Sequence, residues 1–152
     1  MIKVNVETNN KSWQKRIKSP QKYFTPKLKK ISKITKFFKR KKIIFTILLT
    51  NSLNMKRLNK KFRKINKSTD VLSFPSFTPK KLKSLREKNI YIGDIAVSYE
   101  IIYLRSKKSN FFIEFDKVWI HGLLHLIGYD HIKNKDYSKM SKIEKKILNL
   151  IY

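Results

Sequence analysis

The chain contains the stretch Trp119-Ile120-His121-Gly122-Leu123-Leu124-His125-Leu126-Ile127-Gly128-Tyr129-Asp130-His131, which holds all three of its histidines. Apolar residues fall on nearly every side of a helical wheel here, and this predicts a buried helix over 115–127. His121 and His125 are one helical turn apart, so both imidazoles can reach a single ion at about 2.0–2.1 Å. Gly128 favours a left-handed end to the helix, after which the chain can turn back and supply His131 as a third ligand.

A single histidine on an apolar helix is usually a core residue with a polar partner nearby. Burying three histidines this way requires three separate partners, so a shared metal ion is the favoured interpretation. The chain has no cysteine, and any metal must therefore be held by His, Asp or Glu. Three histidine ligands leave a fourth position for water, as in catalytic zinc sites, whereas a structural site would need Asp130 or Asp136 to close it. Nickel and cobalt also suit such ligands.

The same histidine spacing occurs in metzincin peptidases, which makes a metallopeptidase an alternative enzyme class. In H-E-x-x-H peptidases the residue after the first histidine is the glutamate that acts as general base. Gly122 occupies that position here, so the peptidase base is missing. We hypothesise that this glycine leaves room for a bulky group such as phosphate beside the ion.

The charge of the chain indicates a polyanionic partner. Its 152 residues include 37 Lys and Arg against 10 Asp and Glu, a formal net charge of +27. Such a field attracts nucleic acid, although any one lysine can simply solvate the surface. The length predicts a single domain over 1–152. We expect a cytoplasmic protein, because the N-terminus lacks a secretory signal and no apolar run approaches the length of a membrane span.

Periodicity predicts about four strands and about five helices, an α/β (α+β) fold. Pro75 cannot donate a hydrogen bond to a neighbouring strand, so the strand that it ends is expected at an edge of the sheet. Residues 75–90 show no clear period and are predicted to form a loop. The predicted strands are 2–6, 42–50, 70–74 and 91–98, and the predicted helices are 25–39, 52–62, 99–107, 115–127 and 137–150.

The pattern H-G-x-L-H-L-x-G-Y-D-H over 121–131 resembles the signature of the YbeY family of bacterial ribosomal RNA maturation endoribonucleases. Two further blocks are similar to sequences of the family. The first comprises Leu53-Asn54, Leu58-Asn59 and Phe62-Arg63 together with residues 69–75, and the second is residues 93–98. The resemblance runs from about residue 42 to the end. Two positions depart from it: Lys64 stands where the family usually has glycine, and Ser68 where proline is common.

The resemblance implies a zincin-like fold and one Zn²⁺ on His121, His125 and His131. It also implies a basic cleft in which Arg63 helps to hold or cleave single-stranded RNA. A guanidinium there can contact the phosphate and stabilise the transition state, although Arg63 can also be an ordinary surface arginine. Its implied partners are the ribosome and small-subunit ribosomal RNA, in 16S 3′-end maturation and ribosome quality control, with no role expected for DNA or a membrane.

Residues around these groups receive less specific predictions. Lys61 and Lys64, beside Arg63, are predicted to bind substrate. Asp130 is a candidate for orienting an imidazole or for acting as a base, and it can equally close the turn after the helix. Metal-activated water and the 2′-hydroxyl of RNA both remain open as the nucleophile. A non-catalytic RNA-binding ribosome assembly factor with a structural zinc is an alternative from a different functional class.

Overall fold

The computed structural model describes residues 1–34, 41–130 and 134–152, and the backbone alone at Asn134. The described strands form one mixed sheet in the order β1-β2-β4-β3. The first three pair in parallel, and β3 lies antiparallel to β4 at the edge, as Pro75 predicts. The strands are β1 Ile2–Glu7, β2 Lys42–Thr50, β3 Val71–Pro75 and β4 Asn89–Ser98.

Seven helices occur in the described part of the chain, which together with the sheet confirms the α/β fold. Five correspond to the predicted helices, and the short α1 and α4 were not predicted. The helices are α1 Lys11–Arg16, α2 Pro20–Ile31, α3 Ser52–Arg63, α4 Pro79–Ser84, α5 Tyr99–Ser106, α6 Phe111–Leu126 and α7 Asn134–Ile151.

Several predicted boundaries need correction. Three elements begin two to four residues earlier than predicted: β4 at Asn89, α6 at Phe111 and α7 at Asn134. The predicted loop over 75–90 contains α4, where the Thr78 side chain caps the first turn and Leu82 is buried. A six-residue helix is too short to show a clear hydrophobic period. α2 begins at Pro20 rather than near residue 25, because Pro20 fits the first helical turn. Residues 35–39 of the predicted helix lie outside the described residues.

The core lies mainly between the sheet and α6. Alternate residues of β2 from Ile43 to Leu49 point into it, and α6 contributes ten buried residues. A smaller apolar cluster of Met55, Leu72 and Ala96 places α3 against the sheet. α6 therefore holds its histidine-bearing turn against β3 and β4. No helix within the described ranges is long and apolar enough to cross a membrane.

Candidate metal centre and RNA-binding cleft

The two helical histidines face each other across one turn of α6. Their Nε2 atoms lie 3.0 Å apart, and the ring planes are inclined at 79°. Two nitrogens bound to one tetrahedral zinc at about 2.0–2.1 Å would be roughly 3.3 Å apart. The predicted convergence of His121 and His125 on one point is therefore present.

The opposite side of each imidazole is held by a hydrogen-bond acceptor. His121 Nδ1 lies 2.6 Å from Oε1 of Glu144, and His125 Nδ1 lies 3.0 Å from the carbonyl oxygen of Tyr129. A carbonyl can only accept, so Nδ1 of His125 carries the proton, and a carboxylate favours the same tautomer in His121. In neutral rings both Nε2 atoms then present lone pairs to each other, an arrangement that a cation between them would stabilise.

This donor set fits the two-histidine part of a metal site. Within 1–34, 41–130 and 134–152, no group of three or more His, Cys, Asp or Glu side chains is arranged to hold a metal. The predicted third ligand, His131, lies outside the described residues. Its participation therefore stays a prediction.

Arg63 lines the same cleft as the histidine pair. The cleft has a volume of about 570 Å³ and is bordered by Arg63, Phe77, His121, His125, Tyr129 and Asp130, among others. The Nη2 group of Arg63 donates to the carbonyl oxygen of Ser73 at 2.9 Å. This contact uses one of the five N–H donors of the guanidinium and fixes the side chain against β3.

Ser73 connects both halves of the cleft. Its carbonyl accepts from Arg63, and its hydroxyl donates to the carbonyl oxygen of Gly122 at 3.3 Å. β3 thus holds the arginine of α3 and the histidine turn of α6 in one arrangement. Sequence spacing gives no sign of this connection, since 49 positions separate Ser73 from Gly122.

The predicted substrate lysines do not line the cleft with Arg63. Lys61 Nζ lies 5.1 Å from the centre of the Phe62 ring, and Lys64 Nζ donates to the carbonyl of Lys61 at 3.2 Å. Lys64 ends α3 in a left-handed conformation, with φ at 61°. Glycine adopts this conformation at a lower cost than lysine. Contacts of Lys61 and Lys64 with a substrate stay predictions.

The structure corrects the interpretation of Gly122. A Cβ atom here would lie 2.9 Å from Cγ2 of Ile95 and 3.2 Å from the Ser73 hydroxyl oxygen. The space that glycine provides is therefore taken by the sheet, not left beside the histidines for a phosphate. Gly128 has φ at 91°, which confirms the predicted left-handed end of the helix.

Asp130 is exposed and lines the cleft, but it is not the group that orients the Nδ1 atoms of His121 and His125. Glu144 and the Tyr129 carbonyl have that role. A base or turn-closing role for Asp130 stays a prediction. Sequence reasoning missed Glu144, although one signal was available: it is one of two acids in the lysine-rich α7.

Comparison with known proteins places these features in a family. The sequence model described as Endoribonuclease YbeY matches residues 6–152. The chain is 46% identical to Endoribonuclease YbeY of Pelagibacter ubique (strain HTCC1062), over 99% of this chain and 97% of that protein. It is 31% identical to Endoribonuclease YbeY of Thermodesulfovibrio yellowstonii, over 97% of this chain and 98% of that protein.

A solved structure is similar over the same length. A Thermotoga maritima protein whose structure was determined in solution superimposes with a TM-score of 0.64 and 27% sequence identity. The match covers 99% of this chain and 89% of that chain. The similarity therefore extends over the whole arrangement of sheet and helices.

Proposed function

The chain belongs to the Endoribonuclease YbeY family and is an endoribonuclease, and we propose that it cleaves single-stranded RNA at the cleft formed by Arg63, His121 and His125. The observation that carries this assignment is that two converging imidazoles and a guanidinium line one cavity. We further propose that the bound metal is zinc, that His131 completes its ligands, and that the substrate is small-subunit ribosomal RNA in the cytoplasm.

Each residue of the cleft has a distinct task in this proposal. Glu144 and the Tyr129 carbonyl keep the Nδ1 protons on the imidazoles, so that both Nε2 atoms are available as ligands. A zinc ion, when bound, supplies activation of water and neutralises charge on a phosphoryl oxygen. Arg63, fixed by Ser73, donates to the phosphate and stabilises the extra negative charge of the transition state.

The net charge of +27 supports a polyanionic substrate but does not separate cleavage from binding alone. The peptidase alternative is disfavoured by Gly122, which packs against Ile95 and offers no carboxylate after the first histidine. A non-catalytic RNA-binding assembly factor would use the same charge and is distinguished by experiment.

The test is cleavage of a labelled single-stranded ribosomal RNA fragment by protein of measured zinc content. Wild type is compared with His125→Ala, with Arg63→Ala, and with Arg86→Ala as a matched exposed arginine outside the cleft. We expect His125→Ala to lose both zinc and cleavage, Arg63→Ala to keep zinc but lose at least about tenfold in rate, and Arg86→Ala to match wild type. Cleavage unchanged in both cleft variants would refute the assignment and favour the assembly factor.

The ends of the RNA products identify the nucleophile. Attack by the 2′-hydroxyl leaves a 2′,3′-cyclic phosphate, whereas attack by water does not. A substrate with 2′-deoxyribose at the cleavage position is cut only in the second case. A contaminating ribonuclease is excluded if the yield of these products falls in the identically purified His125→Ala and Arg63→Ala proteins.

A further inference from the structure

α7 borders the cleft on two sides through its lysines. Lys145 lines a cavity of about 420 Å³ that shares Asp70, Val71 and His121 with the cleft. Lys139 lines a second cavity, of about 630 Å³, that shares Gly128, Tyr129 and Asp130 with it. One helix therefore places a cation beside each of two openings that adjoin the cleft.

The orientation of α7 is fixed by contacts on its other faces. Met140 and Ile147 are buried in the core, and Glu144 meets the Nδ1 atom of His121 at 2.6 Å. The lysines of the helix are consequently held on its outer side, where each is exposed: Lys135, Lys139, Lys142, Lys145 and Lys146.

We call Lys139, Lys142 and Lys145 the α7 lysine ridge. Successive members are three residues apart, so the ridge extends about 9 Å along the helix. The acids nearest its Lys145 end already have partners, since Glu144 contacts His121 and Asp70 pairs with Arg105. At the other end, Asp130 and Asp136 line the same cavity as Lys139, so the three lysines of the ridge exceed the two acids beside them, and Lys145 places this positive charge next to His121.

We propose that the α7 lysine ridge binds the phosphates of RNA nucleotides that flank the bond to be cleaved. This inference rests on the proposed function, because it takes single-stranded RNA as the ligand of the cleft. A strand whose reacting phosphate lies between the histidines and Arg63 must leave the cleft past its walls. The ridge forms such a wall, and its lysines contact phosphates without reading the bases.

The test measures RNA binding without cleavage, in EDTA, by fluorescence anisotropy over a range of salt concentrations. The triple variant Lys139→Ala, Lys142→Ala, Lys145→Ala is compared with a matched control, Lys11→Ala, Lys15→Ala, Lys18→Ala, which removes the same charge from exposed positions in and just after α1. Each lost phosphate contact should reduce the salt slope of log K by about 0.7 for a single strand.

We expect the ridge variant to lower the salt slope by about 2 for an RNA of about twelve nucleotides, and to bind at least about tenfold more weakly than the control variant. An RNA of about four nucleotides, which the cleft alone can hold, should lose much less affinity. Equal losses in the ridge and control variants would overturn the inference, since only total charge would then matter.

The experiment distinguishes a failure of the ridge proposal from a failure of the proposed nuclease function. If the ridge effect is found but no variant or wild type cleaves RNA, the ridge assignment stands and the nuclease assignment falls. If wild type cleaves RNA and the ridge variant binds long RNA like wild type, the ridge assignment falls alone. Thermal unfolding of both triple variants checks that the fold is retained.

Discussion

Oε1 of Glu144 lies 2.6 Å from Nδ1 of His121, which joins the last helix to an imidazole 23 positions earlier in the chain. The carboxylate fixes the ring and its tautomer, and it makes Nε2 a better ligand. Glu144→Gln should lower the zinc affinity of the protein by about 10–100-fold, as measured by competition with a chromophoric chelator. Glu114→Gln, which changes an acid paired with Lys117 on α6, is the control and should leave zinc affinity unchanged.

Lys64 carries a conformational cost that glycine would remove. Its φ of 61° is the one positive value among non-glycine residues in the described part of the chain. Lys64→Gly should raise the free energy of unfolding by up to about 1 kcal/mol, after the greater entropy of glycine in the unfolded chain is subtracted. Lys61→Gly also replaces a lysine by glycine, but within the helical backbone of α3, and should lower the free energy of unfolding by about 1 kcal/mol. If urea unfolding shows that both variants lose the same free energy of unfolding, the left-handed conformation of Lys64 does not determine the result.

Gly122 allows α6 to approach the sheet closely. Gly122→Ala places a methyl group 2.9 Å from Ile95 Cγ2, and the gain in helix propensity does not offset this clash. We expect a net loss of about 1–2 kcal/mol in the free energy of unfolding. In the Ile95→Ala background the same substitution should cost much less. An undiminished cost there would show that the contact with Ile95 is not the cause.

Asp116 is a fully buried carboxylate that accepts hydrogen bonds from several elements. Its partners are Tyr23 Oη at 2.8 Å, Trp119 Nε1 at 2.6 Å, Tyr152 Oη at 2.6 Å, and Lys27 Nζ. Asp116→Asn should cost about 3–5 kcal/mol, because the amide leaves the ammonium of Lys27 without its charged partner. Tyr152→Phe removes a single donor and should cost only about 1 kcal/mol. The measurement is urea unfolding, and a smaller loss of unfolding free energy in Asp116→Asn than in Tyr152→Phe would contradict this network.

Tyr23 makes stability depend on pH in alkaline solution. Burial, and then the charge of Asp116, raise the pKa of Tyr23 far above its ordinary value of 10.0. Above about pH 10 the unfolded chain loses the phenolic proton while the folded protein keeps it, so stability falls as pH rises. Tyr23→Phe should remove about 1.4 kcal/mol of this fall between about pH 9 and 11, and the slope that it removes approaches 1.4 kcal/mol per pH unit only at higher pH. The measurement is urea unfolding of both proteins between about pH 9 and 11, and parallel curves would contradict the prediction.

Local sequence pattern predicted much of the fold. β2 has the predicted bounds of 42–50 because this run is apolar and β-branched with no breaker, a composition that favours a strand. The spacing of His121 and His125 likewise predicted their convergence, since one helical turn fixes it. The short α1 and α4 were missed because six residues give too little periodicity to recognise.

The sequence by itself therefore determined the strands, the long helices, the left-handed end at Gly128 and the histidine pair, all of which depend on neighbours within about one or two turns of chain. Only the tertiary structure decided that Glu144 supports His121, that Ser73 anchors Arg63, and that Gly122 is packed against Ile95. These contacts join residues far apart in the chain. They follow from how helices and sheet pack, which no local period encodes.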